Sequence, residues 1–91
     1  MDFLYTNLHV HVYCTSFSVC YKTMNDKAIV GHDLNSIFRS DADECLAECV
    51  EETGFVCKSL ERVGTQCWLQ DVDSSDVSVS TVILTTFYEF C

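Results

Sequence analysis

Ser40-Asp41-Ala42-Asp43-Glu44-Cys45-Leu46-Ala47-Glu48-Cys49, followed by Phe55-Val56-Cys57-Lys58-Ser59-Leu60 and Cys67-Trp68-Leu69, decides the fold. Ser40 is suited to cap a helix N-terminus, and Asp41, Asp43 and Glu44 place negative charge at the positive end of its dipole. Ala42, Cys45, Leu46, Cys49, Val50 and Thr53 recur at helical spacing and form one face. Gly54 reads as a left-handed stop. Two cysteines therefore share one helix face. At i and i+4 their Cβ atoms stand about 5–6 Å apart, whereas a disulfide needs about 3.8 Å. Each must reach a different partner.

The stretch after the helix offers two. Phe55 to Leu60 and Thr65 to Gln70 read as strands, with Arg62-Val63-Gly64 turning between them. Cys57 lies near the helix end and Cys67 on the second strand, so the expected bonds are Cys49–Cys57 and Cys45–Cys67. Cys20 and Cys91 are expected to tie the first strand to the last. Cys14 is then unpaired, available for an intermolecular disulfide or as an alternative partner of Cys91. Spacing alone leaves fifteen connectivities for six cysteines; helix geometry removes some and proves none.

The remaining segments supply a sheet. Phe17 to Thr23 alternates as a strand, Asn25-Asp26 turns, and Ala28 to Val30 is extended up to Gly31. Residues 32–39 read as loop or short edge. An acidic loop over 70–76 precedes Val77 to Thr86 and a closing strand over 87–91. The fold class is α+β: one α-helix packed on an antiparallel sheet of about five strands, stapled by disulfides. Residues 17–91 make the domain, and 1–16 are an N-terminal extension of uncertain status. Met1 to Val10 has an acid where a secretory signal wants a base, and reads as a poor signal peptide.

Composition bounds the function. Seven cysteines in 91 residues is the density of a small domain held by bridges or metal. Net charge is −9, with 14 acidic and 5 scattered basic residues. That argues against nucleic acid and anionic surfaces as partners. Apolar runs are too short for membrane insertion.

Cys20 to Gly31, the helix Cys45-x3-Cys49, Phe55-Val56-Cys57-Lys58-Ser59-Leu60, Cys67-Trp68-Leu69 and Phe87-Tyr88-Glu89-Phe90-Cys91 together resemble the PAN/apple domain. The resemblance spans residues 17–91. It implies the pairing reasoned above, and a secreted or cell-surface module that binds protein or carbohydrate, usually within a larger mosaic protein. A stand-alone secreted effector or inhibitor on the same scaffold is the alternative. An intracellular zinc domain built on Cys45, Cys49, Cys57 and Cys67, with His32 in reserve, is a third reading. Its second cysteine pair is too widely spaced for a zinc knuckle.

No catalytic residues and no cofactor are read, because the histidines lie far from the cysteine block. Asp71-x-Asp73-x-Ser75-Asp76 hints at calcium but lacks the glycine and glutamate of an EF-hand loop. Trp68 follows Cys67 and points to the opposite sheet face. With Tyr21, Tyr88 and Phe87 it is a candidate contact patch; the competing reading is a second small core beneath the loops.

Overall fold

Helix α1 runs over Ala42–Glu51. Its N-cap is Asp41, one residue later than the sequence reading: Asp41 Oδ1 accepts the Glu44 amide at 2.9 Å. Ser40 instead donates its hydroxyl to Glu44 Oε1. Both residues carry a capping oxygen, and the extended backbone of Asp41 selects it. Gly54 does not stop the helix. The left-handed glycines are Gly31 and Gly64, and α1 ends where Glu52 turns extended and its amide bonds the Cys49 carbonyl. Ten residues make a helix that is marginal on its own, so its stability must come from what it packs against.

The computed structural model describes residues 5–7, 10–14 and 19–91. The strands are β1 (Tyr5–Asn7), β2 (Val10–Cys14), β3 (Cys20–Ala28), β4 (Asp33–Phe38), β5 (Ser59–Val63), β6 (Gln66–Gln70) and β7 (Ser80–Phe90). They form one antiparallel sheet in the order β1-β2-β3-β7-β5-β6-β4. Five of the seven lie within the expected domain, and β1 and β2 extend the sheet from the segment 1–16. Phe17 and Ser18, where the sequence reading begins its first strand, lie outside the described residues.

Two expected breaks are bulges. Asn25-Asp26 does not turn. The β3 strand continues through a register shift between Asn25 and Lys27, with Asp26 at φ 59°. Opposite it, Leu84 sits at φ 67° and donates its amide to Asp26 Oδ1 at 3.0 Å. The expected division between Val77–Thr86 and the closing strand is therefore absent, and β7 is one bulged strand.

Strand alternation gives the sheet two different faces. On the helix side, Leu60, Cys67 and Leu69 pack with Cys45, Leu46 and Cys49, flanked by Tyr21, Ile37, Tyr88 and Phe90. Two disulfides run through this layer, Cys45–Cys67 and Cys49–Cys57. Arg62 on β5 reaches the start of the helix and donates to the carbonyls of Ser40 at 3.0 Å and Arg39 at 3.4 Å.

The opposite face carries Phe87 beside polar side chains that are also buried: Ser59, Glu61, Gln70 and Glu89. They pin the loops. Gln70 Nε2 donates to the Ile29 carbonyl, Asp33 and Glu61, while Glu61 Oε2 accepts the Ile29 amide at 2.6 Å. Both backbone groups of Ile29 are thereby satisfied, and its side chain is free to fill the core. Glu89 accepts the amide and hydroxyl of Ser74 and an ion pair from Lys22 at 3.3 Å.

The Cys45–Cys67 bond closes a separation of 22 residues, for which chain entropy gives about 3 kcal/mol of stabilisation. The double variant Cys45→Ala/Cys67→Ala is expected to lose at least that much in urea unfolding. A loss under about 1 kcal/mol contradicts the role assigned to this bond.

Candidate functional site

The residues singled out in the sequence do not gather at one place. Trp68 is half-buried and lies on the face away from the helix, in register with Glu61 and Ser36. Tyr21 and Tyr88 lie on the helix face. The expected patch of Trp68, Tyr21 and Tyr88 is therefore split by the sheet. The reason is parity. Tyr88 is in register with Leu60 and Leu60 with Leu69, so Trp68, next to Leu69, points the other way. Phe87, on Trp68's side, is fully buried in the second core beneath the loops.

The structure forms a different aromatic row. Tyr13 on β2 stacks on Tyr21 with ring centroids 5.8 Å apart, and Tyr21 meets Tyr88 at 6.1 Å. Burial pushes the Tyr88 hydroxyl above its ordinary value, with Arg62 acting in the opposite sense.

The cysteines depart from expectation at the chain ends. Cys20 is bonded to Cys14, and Cys91 is a free, exposed thiol. Cys14 is therefore not the unpaired residue, and Cys20–Cys91 is not formed. The cause is β2, which folds back along β3 and sets Cys14 directly opposite Cys20. Cys45, Cys49, Cys57 and Cys67 are all in disulfides and offer no thiolates to zinc. Among the described residues, no cluster of three or more His, Cys, Asp or Glu is placed to hold a metal ion. The acidic loop uses its carboxylates on itself: Asp73 accepts from the amide and hydroxyl of Ser75, and Asp76 accepts from the Asp73 amide and from Lys58.

A groove of about 510 Å³ opens where α1 ends and the chain runs on to β5. Val50, Phe55, Val56 and Phe90 supply its apolar lining, together with the Cys49–Cys57 disulfide. Val50 is 57% and Val56 76% exposed, so two branched apolar side chains stand in water beside a concavity. Glu52 adds an acid to the lining, which contains no basic residue. Glu52 is fixed there by the Gly54 amide and the Asn35 side chain. The segment 52–58, which carries most of this lining, has no regular structure. Its course is held by the Cys49–Cys57 bond and by Lys58, whose amide bonds Gln70 and whose carbonyl accepts from Phe90. Sequence reading missed the groove because it treated Phe55 to Leu60 as strand. The available signal was Phe55-Val56, two large apolar residues between Gly54 and Cys57.

With this geometry in place, the fold and bridges define a small disulfide-bonded module of one helix on an antiparallel sheet. The chain belongs to the PAN domain family, whose model matches residues 20–90. No curated protein matches the chain. PAN domains generally serve as protein- or carbohydrate-binding modules, usually without catalysis, and disulfide-rich examples are typical of extracellular proteins.

The second face carries a pH signature. Burial raises the Glu61 carboxyl above its ordinary value; the Ile29 amide and Gln70 lower it in part, and Asp33 raises it further. A raised acid binds its proton more tightly in the folded state, so this contribution to stability is full below the unfolded value and is lost as pH rises through the folded one. Wild-type stability minus that of Glu61→Gln, measured by urea unfolding across pH, is expected to grow on acidification. A difference that shrinks toward acid contradicts this assignment.

Proposed function

We propose that this PAN domain is an extracellular protein-binding module, and that the groove between the end of α1 and β5 takes an apolar side chain of the partner flanked by a lysine or arginine. The observation that carries the reading is the exposure of Val50 and Val56 beside a concavity lined by Phe55 and Phe90. Large apolar side chains left in water around a concave surface mark a contact site. The charge requirement follows from Glu52 in the lining, Glu51 exposed beside it, and a chain net charge of −9.

Rigidity supports the same reading. The groove is anchored at Cys49 on the helix and at Cys57 on the segment leading to β5. A partner then meets a wall that needs little ordering on association. A secreted or surface setting accords with the three disulfides. Membership of a larger mosaic protein is part of this proposal, as is a role in adhesion.

Burying one valine side chain contributes about 1.5–3 kcal/mol, which corresponds to roughly tenfold to hundredfold in affinity. Val56→Asp is expected to weaken binding to basic–apolar peptides from a displayed peptide library by that factor. Glu52→Lys is expected to weaken the same peptides and to select acidic ones. Peptide binding indifferent to both changes, or binding to a glycan array that neither change affects, contradicts the groove as the site.

A further inference from the structure

Three cysteines stand in one row: two on the neighbouring strands β2 and β3, and one just past the end of β7. Cys14 on β2 is the register partner of Cys20 on β3. On the other side of β3, Tyr21 is opposite Phe90 of β7, and continuing that register by one residue brings Cys91, just past the strand, to a rung with Cys20. The Cys91 amide completes that rung by donating to the Cys20 carbonyl at 3.0 Å. Register partners in a sheet point to the same face, with Cβ atoms about 4.5–5.5 Å apart. Cys20 thus has one sulfur-bearing neighbour on each side. It is bonded to Cys14, while Cys91 carries an exposed free thiol.

We propose that this row is an intramolecular thiol–disulfide exchange site. The Cys91 thiolate attacks Cys20 Sγ, the Cys14–Cys20 bond breaks as the Cys20–Cys91 bond forms, and Cys14 leaves as thiolate. The proton given up by Cys91 is returned, through solvent, to Cys14. One disulfide is lost and one gained, so no oxidant or reductant is consumed.

The two isomers differ in what they hold. The Cys14–Cys20 bond spans 6 residues and clasps β2 to β3. The alternative spans 71 residues (91 − 20) and ties β3 to the end of β7. Exchange moves the free thiol from Cys91 to Cys14 on β2, where it becomes available to a second chain. It also decides whether Phe90, a wall of the groove, is followed by a covalent anchor to β3. The longer loop restricts the unfolded chain more, so the Cys20–Cys91 isomer is the more resistant to unfolding.

The test is bridge mapping of the full chain, made through a secretory route and equilibrated before its free thiol is blocked with N-ethylmaleimide. Peptide mass spectrometry should find both Cys14–Cys20 with alkylated Cys91 and Cys20–Cys91 with alkylated Cys14. The Cys14→Ser variant should close Cys20–Cys91 and hold no free thiol, and should unfold at higher urea than Cys91→Ser, which keeps Cys14–Cys20. A single wild-type isomer after equilibration overturns the proposal. So does a Cys14→Ser variant with both Cys20 and Cys91 unbonded under conditions that bridge Cys91→Ser.

Discussion

The Cys45–Cys67 bond, buried at both ends, is the constraint on which the rest of the structure depends. A ten-residue helix is marginal on its own. A chain of 91 residues with net charge −9 does not have much core to spare against its own repulsion. Joining helix to β6 covalently places Leu46 over Leu60 and Leu69 without relying on apolar contact alone. Cys49–Cys57 then fixes where the chain leaves the helix, and that exit shapes the groove.

The second face solves a different problem with different chemistry. Its loops lack regular hydrogen bonding, so buried side chains satisfy them: Glu61 and Gln70 take both backbone groups of Ile29, and Glu89 takes Ser74. An isolated buried carboxylate is costly, and these are retained because each accepts more than one donor. The two faces therefore divide the work. One is held by sulfur and apolar packing, and the other by polar clamps that keep the loops from drifting.

Much of this was legible in the residues. The i, i+4 cysteines and the acidic first turn carry local information, and local rules read them; the hairpin was read too, but its turn falls at Gly64-Thr65, and Arg62 and Val63 belong to β5 rather than to the turn. The family's pattern then carried the same domain. What was not legible depends on long-range register. Cys14 meets Cys20 because β2 folds along β3, and no spacing rule specifies that alignment. Asn25-Asp26 carries a turn signal, yet a bulge facing Leu84 absorbs it and the strand goes on. The separation of Trp68 from Tyr21 and Tyr88 follows from parity across β5 and β7, which requires the register of four strands at once. The groove was hidden because segment 52–58 is irregular, and its course is set by a bridge rather than by propensity.

Hydrogen exchange on the protein during stepwise reduction tests the central claim most directly. The amides of residues 42–51 should stay protected while Cys45–Cys67 is intact and lose protection in the same step that reduces it. Helix amides that remain protected after that bond is reduced and its thiols are alkylated would contradict the account.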